Sequence, residues 1–448
     1  MSDIMLVFPY FDTQSPQAML FHPLGIAQLV ALLRQENFDA SAIDCTFRQQ
    51  NEVLAEIVAA KPRIVGIYAM VSISNNALEI ARVLRQQLPD TLFLCGGPLP
   101  TLKPEMFLPG FQLVLRGEAT HALPALCRDY LQGGLLPPEL PLLLSHPDNY
   151  PGVYYQDQEG YSIIQSQPQS SDAGMLNSLP IPDRSDYDHV CYQEFWKRRE
   201  GFSLAGIMTT YGCPFQCDFC SKPIFGDVFR RRSLDRIFEE IHTIKALGYD
   251  GLWIADDGLT LNLEHLRGFC RRMISEKLDM KWFCLSRVDT ITGRDMELMK
   301  KAGCAKVYLG LESGNNEVLR LMNKQTTVEM AEETVALFAQ SGIRSAGFFM
   351  VGYPGETYDS IEETFHWALS LPLDEVSFTI PYPLPGTRFF EKTFAVQNTL
   401  DWQFENENRF VYRSDFDEEY LKKRIAEVHD LFKAARLCRP AQRRRVCR

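Results

Sequence analysis

The sequence predicts an α/β protein in two parts, an N-terminal doubly wound parallel sheet and, after a connector, a partial (β/α)6 barrel. Three observations predict it. Short apolar runs alternate with helix-period segments up to about residue 135; a strand-then-helix unit recurs six times between about residues 204 and 390; and the stretch between is polar and punctuated by proline.

Bulk properties narrow the function classes. A chain of 448 residues, 46 % hydrophobic and 23 % charged, is long enough for two or three domains with real cores. A formal net charge of -11 argues against a nucleic-acid partner, which needs a basic face. The opening MSDIMLVFPYF has no basic region ahead of a long apolar core, and no apolar run reaches spanning length, so no membrane span and a cytoplasmic location are expected. Twelve cysteines without a secretion signal fit a reducing compartment and a metal site rather than a disulfide framework. Cys95 in LFLCGG and Cys284 in WFCLS stand in apolar runs and read as small core residues.

Residues 1–135 form the first domain. Ile4 to Phe8 is a short apolar run, and Leu24 to Leu33 follows with Leu24, Ala27, Leu29, Ala31 and Leu32 in a helical pattern. DASAID from Asp39 reads as a second strand, Val53 to Val58 as a helix, Ile64 to Tyr68 as a third strand and Ala77 to Leu88 as a helix. Leu92 to Cys95 and Gln112 to Leu115 complete five strands. Ligands of such sheets lie at the carboxyl ends of the strands. There the sequence has Ser72 and Ser74, then Gly96 and Gly97, then Arg116, Gly117 and Glu118, and small residues let a large flat ligand approach the backbone.

Residues 136–203 form the connector. Tyr150 to Ile164 reads as a small hairpin turning near Gly160, and Ser166 to Asp188 as an extended segment, because its prolines disfavour helix. A helix is expected at Val190 to Arg199.

Residues 204–390 form the barrel, with strands at Leu204 to Thr210, Gly251 to Ala255, Lys281 to Ser286, Lys306 to Glu312, Arg344 to Val351 and Glu375 to Ile380. The clearest helix carries Leu234, Ile237, Ile241, Ile244 and Leu247 on one stripe and stops at Gly248. Barrels of this kind carry reactive groups on the loops leaving the carboxyl ends of the strands. Tyr308, Phe349, Tyr353 and Tyr382 read as barrel core rather than a substrate-lining box. Arg230, Arg231 and Arg232 read either as a solvated helix start or as charge balance for the site.

The first barrel loop holds YGCPFQCDFCSKPIF, with Cys213, Cys217 and Cys220 in a C-x3-C-x2-C array. Three thiolates at this spacing are a ligand set. Cysteines holding a 4Fe-4S cluster bind one iron each, so three would leave the fourth iron open. Zinc, the alternative, normally takes four protein ligands, and no Cys or His in the following stretch completes a zinc pattern. Residues 391–448 form a C-terminal extension, with an amphipathic helix at Phe416 to Leu437 and a basic tail containing Cys438 and Cys447.

The cysteine array, with the aromatic Phe219 before its last member, resembles the signature of the radical S-adenosylmethionine (SAM) superfamily. The elements of the first domain, with PLGIAQLVALLR, LCGGPLPT and LRGEAT, resemble the cobalamin-binding domain of one large subfamily, which includes methylases and anaerobic magnesium-protoporphyrin monomethyl ester cyclase-like proteins. The loop Pro9 to Pro23 departs from the D-x-H-x-x-G pattern of some cobalamin domains, because Asp12 and His22 are too far apart. His22 therefore reads as a loop histidine, and a first domain that binds no cobalamin stays open. The resemblance implies a 4Fe-4S cluster on Cys213, Cys217 and Cys220. It implies SAM at Asp256, Asp257, Ser286, Arg287, Glu312, Ser313 and Gly352, and cobalamin at Ser72, Gly96, Gly97, Gly117 and Glu118.

It implies further that a flavodoxin- or ferredoxin-type donor reduces the cluster, that SAM is cleaved to a 5'-deoxyadenosyl radical, and that the radical attacks a small-molecule or natural-product substrate. The leading expectation is a cobalamin-dependent methyltransferase acting on an unactivated carbon. The rivals are a cyclase or rearrangement enzyme that transfers no methyl group, and a non-catalytic iron-sulfur electron carrier, against which the open iron counts.

Overall fold

The computed structural model describes residues 2–13, 18–144, 149–156, 162–164, 170–222, 224–396 and 410–437. The expected turn at Gly160 and the basic tail with Cys438 and Cys447 lie outside them.

The first sheet contains β1 (Ile4–Phe8), β2 (Ala40–Asp44), β3 (Ile64–Tyr68), β4 (Leu92–Gly96), β5 (Leu113–Leu115), β6 (Val153–Gln156) and β7 (Ser162–Ile164), in the order β2-β1-β3-β4-β5-β6-β7. β1 to β5 pair in parallel, and β1 lies between β2 and β3. The chain therefore moves to one side of β1 and then to the other, which opens a crevice at the carboxyl ends of β1 and β3. Parallel strands are covered on both faces, so they carry runs such as Ile64, Val65 and Ile67, all essentially without solvent contact. The helix Leu24–Gln35 packs Ile26, Val30 and Leu33 on one face of the sheet, and Ser74–Gln87 packs Ala77, Ile80 and Leu84 on the other.

Two details differ from the sequence reading. The hairpin β6-β7 pairs antiparallel with β5 and extends the first sheet instead of standing in the connector; an exposed edge strand is a ready template for pairing, and the hairpin covers it. Ala173–Ser178 is a short helix where an extended segment was expected, because the Asp172 carboxylate accepts the Met175 N–H at 2.8 Å and caps a stretch free of proline.

The second sheet has β8 (Leu204–Ile207), β9 (Gly251–Ile254), β10 (Lys281–Ser286), β11 (Cys304–Glu312), β12 (Arg344–Met350) and β13 (Glu375–Thr379), in the order β13-β12-β11-β10-β9-β8. β9 to β13 pair in parallel in sequence order, with helices between them, as a partial barrel requires.

The chain divides into two compact units, residues 1–207 with 222–249, and residues 208–221 with 250–448. Ion pairs explain why residues 222–249 join the first. Glu240, without solvent contact, accepts Arg184 at 2.5 Å and Arg232 at 2.6 Å, and Arg230 Nη1 donates to Glu118 Oε1 at 2.6 Å. Both readings of the Arg230–Arg232 run are thus corrected for Arg230 and Arg232: a buried guanidinium needs a carboxylate partner, and each has one within its own unit. Among the described residues no helix is long and apolar enough to cross a membrane.

Candidate functional site

In the second unit the cysteine loop is fastened at several points. Its entry is held by Asp256, which follows β9 and has no solvent contact. The Thr209 N–H donates to Asp256 Oδ1 at 2.6 Å, the Thr210 N–H to the same oxygen at 3.0 Å, and the Thr209 hydroxyl to Oδ2 at 2.5 Å. Burial pushes this carboxyl up to about 6 against the pull of those donors. His265 Nε2 lies 3.3 Å from the Thr209 hydroxyl.

Beyond the entry, Cys213 and Cys217 are half-buried and Cys220 is exposed, and none of the three is in a disulfide among the described residues. The Cys220 N–H donates to the Cys217 carbonyl at 3.1 Å, so these two share one turn. Asp218 between them is buried. Its N–H donates to the Met322 carbonyl, its carbonyl accepts the Phe389 N–H, and its carboxylate meets Lys392 at 2.5 Å. The Asn323 side chain donates to the Gln216 carbonyl at 2.6 Å.

Arg287, directly after β10, spreads its guanidinium over the Phe215 ring at 3.6 Å and donates from Nη1 to Cys217 Sγ at 3.9 Å. These contacts bring the cysteine loop to the carboxyl ends of β9 and β10. Ser286 bonds the Thr260 hydroxyl at 2.8 Å and the Arg287 carbonyl. At the end of β11 a register shift places Glu312 in left-handed backbone, φ 63°, with its carboxylate 2.7 Å from Lys324 Nζ. Gly310 makes room for this pair, because a Cβ there would stand 2.6 Å from Glu312 Oε1 and 2.8 Å from Lys324 Nζ. Ser313 turns to Thr364 at 3.1 Å, while Asp257 is exposed. After β12, Gly352 has φ 88° and Glu356 accepts the Tyr353 N–H at 2.6 Å; burial lifts the Glu356 carboxyl to about 7.

The residues expected to serve one ligand therefore all follow strands of a single sheet, but they differ in what they can offer. Asp256 and Ser313 turn back to Thr209, Thr210 and Thr364, Ser286 bonds Thr260 and the Arg287 carbonyl, Glu312 pairs with Lys324, and Asp257 is the exposed member of the set. Lys324, Asp218, Phe215 and Asp289 were not foreseen. Phe215 and Asp218 lie inside the cysteine array and Asp289 lies two residues after Arg287, which were the available signals; nothing local marked Lys324.

In the first unit, Ser72 is exposed in a turn after β3, and Gly96, Gly97 and Gly117 occupy the ends of β4 and β5. Gly97 has φ 118°, and a Cβ there would come within 2.4 Å of the Ala69 carbonyl. Glu118 is buried and engaged, taking Arg230 and the Ser171 N–H. His22, on the loop after β1, is enclosed by Tyr187, His189, Tyr192 and Tyr249, with Nε2 2.9 Å from the Tyr249 hydroxyl. Burial, with Arg184 and His189 nearby, holds its imidazole well below the ordinary histidine range.

The donor chemistry fits the expected groups. Three thiols on one loop, none in a disulfide among the described residues, suit three irons of a cluster; among the described residues no three His, Cys, Asp or Glu side chains stand in a preformed metal cage, so the fit rests on the donor set. The glycines at the ends of β4 and β5 place no side chain over the sheet edge, which suits a broad flat ligand.

Two family descriptions match this chain: "Radical SAM superfamily" over residues 207–368 and "B12 binding domain" over residues 18–127. Residues 207–368 thus match a radical SAM domain, and residues 18–127 a B12-binding domain. The chain is 29 % identical over 394 residues to an uncharacterized methyltransferase of Pyrococcus horikoshii, covering 85 % of this chain and 81 % of that one. It is 26 % identical to the anaerobic magnesium-protoporphyrin IX monomethyl ester cyclase of Cereibacter sphaeroides, over 87 % of this chain but only 63 % of that longer protein. Its fold matches the radical S-adenosylmethionine methyltransferase TsrM of Kitasatospora setae, solved with cobalamin and a [4Fe-4S] cluster. The TM-score is 0.74 and the identity 19 %, over 88 % of this chain and 75 % of that one.

Proposed function

We propose that this protein is a cobalamin-dependent radical SAM methyltransferase that acts on an unactivated carbon of a small-molecule or natural-product substrate. One observation carries the reading. A three-thiol loop lies at the carboxyl ends of β9 and β10, in a chain whose other sheet has the 2-1-3-4-5 order and glycine-bearing strand ends of a nucleotide- or corrin-type binding domain.

Cys213, Cys217 and Cys220 would hold the cluster, and Ser72, Gly96, Gly97 and Gly117 would lie against cobalamin. Glu118 would act there only by fixing Arg230. When bound, the cluster supplies the electron that cleaves SAM, and cobalamin supplies a transferable methyl group. The chain's own residues bind and orient. We assign the amino-acid end of SAM to Asp257, Ser286 and Glu312, and the side of Gly352 to its adenine. Asp256 and Ser313 brace that edge from behind. Lys324 neutralises Glu312 and keeps it aimed, and the burial of Tyr353 and Glu356 keeps water from the end of β12. We place the protein in the cytoplasm, with a flavodoxin- or ferredoxin-type reductant, and propose domains 1–135, 136–203, 204–390 and 391–448, with the hairpin β6-β7 of the second segment added to the sheet of the first.

The resemblance to magnesium-protoporphyrin cyclases supports a second reading, ring formation without methyl transfer. Incubating the anaerobically loaded protein with methyl-labelled SAM, a reductant and a small-molecule cell extract separates the two. Label in a new product is expected. Release of 5'-deoxyadenosine with unlabelled product favours the cyclase, and no SAM cleavage by a protein with a full cluster overturns both.

A further inference from the structure

Resting on the reading that Cys213, Cys217 and Cys220 carry a cluster, we infer that Arg287 is a positioning residue of that cluster and not a clamp on a carboxylate of SAM. Arg287 is nearly buried, and its donors are distributed in a way that decides its role. A guanidinium grips a carboxylate best with two parallel N–H groups. That fork is already filled: Nε donates to Asp289 Oδ1 at 2.9 Å and Nη2 to Asp289 Oδ2 at 2.8 Å. Nη2 also donates to the Lys324 carbonyl at 3.0 Å. What remains is Nη1, directed at Cys217 Sγ, and the flat face of the group, which lies on Phe215.

Arg287 thus touches the cysteine loop at two residues two positions apart. The stack on Phe215 fixes where the loop runs, and the N–H toward sulfur fixes where Cys217 points. Asp289 holds the guanidinium in register for both. Groups that touch a metal's ligands rather than the metal orient those ligands, and hydrogen bonds to cluster sulfurs help set the reduction potential. Adding one electron makes the cluster more negative, so a fixed cation beside one of its thiolates favours the reduced form. Arg287 therefore raises the potential at which the cluster accepts its electron.

The test uses the full chain, loaded anaerobically, with Arg287→Gln compared with the parent. Iron and sulfide per chain come first, since a parent without a four-iron cluster would sink the underlying reading and not this inference. The midpoint potential of the SAM-free cluster is then titrated with dithionite as the one-electron donor and followed by electron paramagnetic resonance. A shift to more negative potential with bound iron retained is expected. An unchanged potential overturns the inference, most clearly if SAM affinity falls about tenfold or more at the same time. Should Arg287→Gln fail to fold, Phe215→Leu removes the stack and leaves the charge. Iron loss to a chelator is then expected to be about tenfold faster than in the parent, and an equal rate overturns the inference.

Discussion

Lys324 Nζ stands 2.7 Å from Glu312 Oε1, with both side chains almost closed off from water and Glu312 in left-handed backbone. Removing one member of such a pair strands the other. Lys324→Met is expected to destabilise the second unit by about 3 kcal/mol, read as a lower urea midpoint. Lys324→Met with Glu312→Gln should recover part of the loss, because no bare carboxylate is left.

Replacing Cys213, Cys217 and Cys220 together by Ala should abolish the visible absorbance of the reconstituted protein and its release of 5'-deoxyadenosine. Both are measured anaerobically against the parent. Cleavage retained by the triple variant would remove these thiols from the chemistry.

Asp256 yields a pH prediction. Burial lifts its carboxyl from an ordinary 3.8 to about 6. Between about pH 4 and pH 6 the folded chain binds more protons here than the unfolded chain, so this contribution to stability is full below that window and is lost as pH rises through it. Asp256→Asn keeps an oxygen for the Thr209 and Thr210 N–H groups and does not titrate. Relative to Asp256→Asn, the parent should lose about 2 kcal/mol from pH 4 to pH 6, measured by urea unfolding at each pH.

Gly97→Ala tests the end of β4. At φ 118° and 2.4 Å from the Ala69 carbonyl, a Cβ forces the backbone to move. A loss of about 2 kcal/mol is expected, with reduced cobalamin retention after anaerobic purification.

His22→Ala should leave cobalamin retention largely intact, because His22 Nε2 is turned to Tyr249 inside an aromatic enclosure. Absorption bands of cobalt-corrin in the purified variant provide the readout. Their disappearance, with melting temperature held by a His22→Phe control, would mark His22 as a cobalt ligand.

Much of the fold was legible because parallel strands declare themselves. Ile64 to Tyr68 and Lys281 to Ser286 are apolar runs whose bounds coincide with β3 and β10. The spacing of the cysteines marked them as a candidate ligand set in the sequence alone. The rest was hidden by sequence distance. Arg230 finds Glu118 across 112 positions and Arg184 finds Glu240 across 56, so Arg230, in a run that looks solvated, is in fact paired inside. Asp256 lies where a ligand contact was expected, but nothing in WIADDG says that its oxygens turn back to Thr209 and Thr210. The cap at Asp172 was overlooked because the surrounding prolines dominate the local pattern.

Asp218 has a consequence for how the protein comes into being. Its carbonyl waits for the Phe389 N–H and its carboxylate for Lys392, 174 positions downstream. On the ribosome, the cysteines emerge long before the residues that fasten them. A chain halted short of Phe389 displays all three thiols on a loop without its last restraint, open to oxidation and to stray metals. On the reading that these thiols hold the cluster, its assembly is expected to follow completion of the chain.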